Sequence, residues 1–382
     1  MRVLFLGSYD RKSERNRILI HGLQEQGVTV LERHFPMEGL RFRGTGGAMA
    51  AGLARAALSI PGYLAHMVTG ARAASGADVV LVGYLGHHDL AVLAALRRAV
   101  PALRERPLVF DPFFSLYDTI VSDRALVGPQ SGAARALRRA EQWVLRRADL
   151  ILADTAAHAA YYQALAGLPA ERLRVVPVGA DERLFPRHDP RPPGEELRVL
   201  FFGTYIPLHG VQTILEAADI LRAESIDFRL IGRGQTRHSA DGLARNRGLT
   251  KVDFVDWVPL TQLASEIADA DVVLGIFGTS GKAARVVPNK VYQAMSVGRC
   301  VVTRDSPAIR EMFTPGEHLA TCAAGDARDL ASVLREVQRD RGLRHRLADA
   351  GHAAARGRFS TAAIGEVLRD ALSEIVGGRR LP

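Results

Sequence analysis

Short, unbroken apolar runs punctuate this chain. GADVVLVG (76–83), RADLILAD (147–154) and DADVVLGI (269–276) repeat one pattern, a helix end, an aspartate, then a run of Val, Leu and Ile. MRVLFLGSY (1–9), RPLVFDPF (106–113), LRVLFFGTY (197–205), FRLIGRG (228–234) and GRCVVTRD (298–305) are of the same kind. A strand covered by helices on both faces reads as a continuous apolar run, whereas a half-solvated strand alternates. All of these runs therefore predict buried parallel strands. Alanine-rich helical stretches separate them, at 131–147, 210–223 and 260–268. Strands alternating with helices predict an α/β fold of doubly wound parallel sheets.

The pattern is broken once. PRHDPRPPGEE (186–196) is proline-rich and charged, with no apolar periodicity, and reads as a linker. LRVLFFGTY then restarts what MRVLFLGSY opened, so two Rossmann-like domains are expected, at 1–186 and 197–358, joined through 187–196. FSTAAIGEVLRDALSEIVGG (359–378) reads as one capped helix, with Ser360 or Thr361 at its start and Gly377 at its stop. Residues 41–75 carry arginines but no acid among Ala, Leu, Met and Tyr. They suit a covering helix interrupted at Pro61–Gly62; an amphipathic helix on anionic lipid is the alternative.

Composition narrows the class. A chain of 382 residues exceeds one typical core, in line with two domains. No apolar run reaches the length of a membrane span, and the N-terminal run is too short for a signal peptide. Cys300 and Cys322 belong to no CxxC or Cys/His cluster, so a reduced, cytoplasmic setting without structural zinc is expected. The formal net charge is +9, yet only Lys12, Lys251, Lys282 and Lys290 are lysines. No Lys/Arg tract with interleaved aromatics occurs, so no nucleic-acid partner is expected. A diffuse positive field suits an acidic small molecule or an anionic membrane surface.

Candidate chemistry lies where strands end. Gly7-Ser8-Tyr9, Gly203-Thr204-Tyr205 and Gly232-Arg233-Gly234 mark strand ends without forming a GxGxxG or P-loop motif. VVPNKVYQAMSVGRCVVT (286–303) is more specific. Pro288 discourages helix before it, Asn289 is a good N-cap, and Lys290 falls in the first turn, where the helix dipole disfavours a cation. A phosphate between Lys290 and the free backbone N–H groups would explain it. Gln293 lies one turn on, the loop Gly278-Thr279-Ser280-Gly281 can offer further amides, and Arg285 adds a cation. In the first half, Gly86-His87-His88-Asp89 and Asp111 follow strands, and Asp118 and Asp123 lie in SLYDTIVSDR. His87 or His88 could bind substrate, and Asp89 could cap. Asp111, flanked by Pro112, Phe113 and Phe114, sits in an apolar setting that would raise its pKa toward acid–base work; a turn-forming Asp-Pro is the plainer reading. Asp269-Ala270-Asp271 precedes a strand rather than following one, so Asp271 is read as a turn or cap residue and no metal is assigned.

LRVLFFGTYIPLHGVQTILEAADIL, DFVDWVPLTQLASEIADADVVLGIFG and VPNKVYQAMSVGRCVVTRDSPAIRE resemble, in that order, the donor-binding half of GT-B glycosyltransferases. More narrowly, they resemble the retaining "glycosyl transferases group 1" family (family 4), and VVPVGADERLF resembles the motif closing its N-terminal domain. The resemblance implies two domains facing across a cleft, with residues 359–382 crossing back to the first. It implies a nucleotide-sugar donor held by the second domain and an acceptor, small-molecule, polysaccharide or lipid-linked, held by the first. Transfer would retain anomeric configuration and need no metal or other cofactor. The family's basic pair falls on Thr204 and His209, its two acids spaced eight apart fall on Arg285 and Gln293, and the histidine after a first-domain strand is replaced by Asp111. The expected site is therefore Asn289, Lys290 and Arg285 for phosphate, Gln293 for ribose, with Gly203, Thr204, His209, Arg233, Gly278 and Thr279 lining the donor. Asp111 and His87 are expected near the reacting sugar. The expected protein is a cytoplasmic glycosyltransferase, with peripheral contact at the inner membrane face left open. A nucleotide-sugar epimerase or hydrolase, or a non-catalytic GT-B-shaped binding subunit, are the alternatives.

Overall fold

A computed structural model describes residues 1–36, 47–190, 192, 194 and 196–378, the side chains of 47–58 excepted. Its first half contains β1 (Arg2–Gly7), β2 (Thr29–His34), β3 (Val79–Val82), β4 (Leu108–Phe110), β5 (Leu150–Ala153) and β6 (Leu173–Val175). The second contains β7 (Leu197–Phe202), β8 (Ile226–Ile231), β9 (Val252–Val255), β10 (Val272–Leu274), β11 (Cys300–Arg304) and β12 (Ala320–Cys322). They form two sheets, ordered β2-β1-β3-β4-β5-β6 and β12-β11-β10-β7-β8-β9, with parallel pairing throughout. Helices cover both faces, as continuous apolar strands require. In both sheets the order reverses beside the first strand of the half, and such a reversal opens a crevice at the carboxyl ends of the strands.

All the strands expected from apolar runs are present. The four additional ones, β2, β6, β9 and β12, are the four sheet edges. Each is short or half-solvated: β2 and β9 have no buried residue. The helix Gly47–Ala73 runs through Pro61 rather than stopping there. Beyond the proline, Tyr63, Met67 and Ala71 are buried on the sheet, and Gly70 leaves room for Leu6, whose Cδ1 would lie 2.4 Å from a Cβ. That packing holds the turn that Pro61 weakens, and over these residues the helix is a cover for the sheet. The lipid-facing alternative falls partly on 41–46 and on the side chains of 47–58, outside the described residues. Among the described residues, no helix is long and apolar enough to cross a membrane.

The helix Thr361–Val376, capped by Ser360 Oγ accepting from the Ala363 N–H, packs against the helix Glu14–Glu25 of the first half. The two backbones touch at glycines: a Cβ on Gly365 would lie 2.1 Å from the Gly22 carbonyl oxygen. Gly365→Ala is expected to destabilise the protein by about 1–3 kcal/mol through overpacking, read as a lowered urea midpoint. An unchanged midpoint would show that the two helices are not held together as described.

Candidate functional site

The second sheet builds a cationic floor. β7 ends at Gly203, with φ +141°, where a Cβ would lie 3.0 Å from Lys290 Nζ and 3.1 Å from His209 Cε1. Lys290 projects from the first turn of the helix Asn289–Val297 and is only 5% exposed. Its Nζ lies 4.0 Å from the Phe201 ring centroid and has no hydrogen-bond partner among the described residues. Burial pulls this amine well below the ordinary lysine range. His209 Nδ1 bonds the Thr204 carbonyl, which can only accept, so Nδ1 carries the proton. Burial holds the imidazole neutral, and Lys290, Lys282 and Arg124 reinforce this, so all three cations act on one point. The neighbouring loop is locked alongside: the Phe277 N–H donates to the His209 carbonyl and the Gly278 N–H to the Leu208 carbonyl, both at 3.1 Å. Thr279 packs against Gly325.

The facing wall comes from the first half. Residues 113–125 form a strap containing a π-turn, Asp118–Asp123, between two non-glycine residues at positive φ, Phe113 (60°) and Ala125 (50°). Such conformations are strained and persist only where surroundings impose them. Lys282 Nζ donates to Thr119 Oγ1 at 2.7 Å, Gln235 Nε2 to the Arg124 carbonyl at 3.1 Å, and Arg285 to Asp118 at 2.6 Å. Arg285 also lies 4.2 Å from the Tyr161 ring centroid, while the Thr155 hydroxyl donates to its carbonyl. Arg285, expected on phosphate, is thus turned into the first half and neutralised there.

The helix Asn289–Val297 departs from expectation at two residues. Pro288 holds the N-cap position, and Asn289 is the first helical residue with no capping bond. Its amide instead reaches Glu14 Oε2 at 3.5 Å, and Gln293 Nε2 donates to the same oxygen at 2.5 Å. Glu14 is buried at the start of the first long helix, and burial pushes its carboxyl up to about 7 against the opposing Asp181 N–H, Arg17 and Gln293. No pattern in the sequence marks Glu14; only the fold brings it to Gln293.

Asp111 and His87 do not form a pair. Both Asp111 oxygens accept from the fully buried Arg15, at 2.9 and 3.0 Å, and Arg15 also donates to the Val176 and Pro177 carbonyls. The apolar setting expected for Asp111 is replaced by a structural ion pair, because Arg15 was invisible as its partner. His87 packs edge-on to Phe110, with Nε2 3.7 Å from Glu141. Burial raises the Glu141 carboxyl, but His87 and the Tyr117 N–H and Ser115 hydroxyl donors outweigh it and hold it low. Asp89 accepts from the Ser8 N–H and the Tyr63 hydroxyl, both at 2.8 Å, so it ties strand to helix rather than capping. Arg233 is exposed, 3.3 Å from Asp256. Asp271 accepts from the Arg198 N–H at 2.9 Å, a turn role. Two sizeable concavities, about 660 and 1020 Å³, open at the amino ends of the strands instead. In parallel sheets ligands sit at the carboxyl ends, so neither is the donor site.

This arrangement, two facing parallel sheets with a cationic floor in the second, is the GT-B architecture. Anabaena Alr3699/HepE, solved in complex with UDP and glucose, superposes with a TM-score of 0.70 over 98% of this chain and 100% of its own, at 19% identity. Sucrose-phosphate synthase from Thermosynechococcus elongatus does so with a TM-score of 0.72 over 98% and 99%, at 15% identity. The profile described as "Glycosyl transferases group 1" matches residues 196–340, and "Glycosyl transferase 4-like domain" matches 5–179. The chain belongs to the group 1 glycosyltransferase family. The putative colanic acid biosynthesis glycosyltransferase WcaL of Salmonella typhimurium is 28% identical over 203 residues, 52% of this chain and 50% of that protein. The lipopolysaccharide core biosynthesis glycosyltransferase LpsE of Rhizobium meliloti is 27% identical over 173 residues, 45% and 48%. The chain spans about half the length of these curated relatives.

Two expectations follow from the buried charges. Asp111→Asn leaves Arg15 buried without its counter-charge and should cost about 3–5 kcal/mol of stability. Urea unfolding of Arg15→Met, Asp111→Leu and the double variant tests the pairing; a double variant as unstable as the summed singles would refute it. Glu14 has a folded value above its unfolded one, so the folded state holds the extra proton between about 4.5 and 7. Stability from this group is therefore greatest at acid pH and falls as pH rises through that window. Relative to Glu14→Gln, the wild type should lose about 3 kcal/mol across it; parallel pH profiles would sink the assignment.

Proposed function

We propose that this chain transfers a sugar from a nucleoside-diphosphate donor to an acceptor held by the first half, with retention of configuration and without a metal. One observation carries the reading. Lys290 is a buried amine with no hydrogen-bond partner among the described residues, its charged form disfavoured by burial, at the positive end of a helix and against the strand-end glycine Gly203. Burying an unpaired charge is unfavourable, so its position makes sense when an anion occupies the floor. As the anomeric bond breaks, the diphosphate gains negative charge, and Lys290, Lys282 and Arg124 are preorganised to stabilise it. Gln293 with Glu14 forms an amide–carboxyl pair able to exchange hydrogen bonds with a ribose diol. On the acceptor side, Tyr84 meets Phe113 and Phe114 at centroid distances of 5.1 and 5.3 Å, a platform on which a sugar ring can stack. An acceptor from surface-polysaccharide or lipopolysaccharide assembly is supported by what the relatives are called.

Lys290→Met tests the reading from both sides. Removing the buried amine should raise the unfolding temperature of the free protein and weaken nucleoside-diphosphate binding tenfold or more, the scale of a lost charge-assisted contact. Titration calorimetry with UDP, GDP and ADP reads the second effect. Unchanged affinity for whichever diphosphate binds would remove Lys290 from the site.

A further inference from the structure

The strap at 113–125 holds an acid that the diphosphate floor does not use. Asp123 is 4% exposed. Its Oδ1 receives one long hydrogen bond, 3.4 Å from Ser280 Oγ, and its Oδ2 has no hydrogen-bond partner among the described residues. Its neighbour Asp118 is satisfied by Arg285 at 2.6 Å, so the two acids are not equivalent. A buried acceptor left unpaired is costly, and native structures rarely keep one without a role.

The surroundings define what would complete it. Asp123 faces Ser280 and Lys282 from the second half, and Asp118 and Arg124 from its own strap. Burial raises its carboxyl, with Lys282 as the leading opposing influence. Lys282 and Arg124 also act on His209, and Lys290 acts on the same ring, so Asp123 borders the cationic floor. A phosphate oxygen can only accept hydrogen bonds and would be repelled by Asp123. A ligand that serves both places must be anionic over Lys290, Lys282 and Arg124 and must carry a hydroxyl donor directly alongside. A sugar attached to a diphosphate has that polarity. Lys282, Arg285 and Gln235 bind the strap from across the cleft and so place Asp123 beside the floor.

We propose that Asp123 determines donor-sugar specificity by accepting a hydrogen bond from a sugar hydroxyl through Oδ2. The proposal rests on the nucleotide-sugar reading above and adds the residue that reads the sugar.

Calorimetric titration of wild type and Asp123→Asn with UDP and UDP-glucose, GDP and GDP-mannose, and ADP and ADP-glucose separates the two. For the nucleotide that binds, the ratio of the sugar-nucleotide Kd to the parent diphosphate Kd should rise about tenfold in Asp123→Asn, the scale of a lost charge-assisted bond, while the diphosphate itself binds no more weakly than to wild type. An unchanged ratio overturns the proposal. So does an equal weakening of both ligands, which would make Asp123 part of the phosphate floor. Thr119→Ala loosens the strap without altering Asp123 and should leave the ratio as in wild type; a matching rise there would assign the effect to strap order and overturn the proposal. If none of the three diphosphates binds the wild type, the donor reading fails and the proposal fails with it.

Discussion

Lys290 is an amine taken out of water at the end of a helix where the dipole already opposes a positive charge. The details around it are conditions for tolerating that placement. The Phe201 ring face meets the ammonium, and Gly203 has no side chain where one would collide with it. His209 stays neutral, so its ring adds no positive charge of its own beside Lys290. The close approach continues outward: Gly210 has φ +62° and a Cβ there would strike the backbone between Phe277 and Gly278 at 2.6 Å. Close backbone approaches at Gly203 and Gly210 thus hold two loops around the buried amine, and those loops set the shape of the floor.

The halves are joined by two kinds of contact with different physical character. At the crossings between them, Phe359 is buried against Tyr292 and Phe313, and its carbonyl accepts from the Ala180 N–H at 3.0 Å. Gly179, with φ +72°, permits this, since a Cβ would lie 2.6 Å from that carbonyl. The seam continues into the glycine contact of Gly22 with Gly365. Across the cleft mouth the links are polar: Arg285 with Asp118, Lys282 with Thr119, Gln235 with Arg124, and Gln293 with Glu14. Polar links exchange with water for a modest net change, about 1 kcal/mol for a neutral pair and about 1.5–3 kcal/mol where a partner is charged, whereas an apolar seam does not. The seam therefore acts as the fixed side and the mouth as the exchangeable side.

Much of this was legible in the chain, and the misses share a cause. Strands buried on both faces announce themselves as apolar runs, so the central strands of both sheets were readable. The edges β2, β6, β9 and β12 were not, because a half-solvated edge needs little apolar length. The same limit governs the site. Lys290 was readable because a cation at a helix start is locally anomalous. Arg15 with Asp111, Arg285 with Asp118, and Glu14 with Gln293 lie 96, 167 and 279 residues apart, so no local pattern reveals the partner that decides each role. Asp111 looked like an acid–base group only while its counter-charge was unknown, and Asn289 looked like a cap only while Glu14 was.

Those long-range partners also account for the two departures from the family pattern. An acid at 293 would face Glu14 at the 2.5 Å now spanned by an amide, and one of the two carboxyls would have to stay protonated. Glutamine removes the conflict by donating to Glu14, so the carboxyl at that end of the site is supplied from the first half. At 285 the exchange runs the same way with a charge in place of the amide: Arg285 contributes the cation, and Asp118 on the strap contributes the acid. In both places the acid sits on the first half and its partner on the helical mouth of the second. In this chain the carboxyls that meet 285 and 293 are held on the far side of the cleft, so these polar pairs exist only where both halves meet. A set of groups divided in this way is complete only while the polar links at the cleft mouth hold the two halves together.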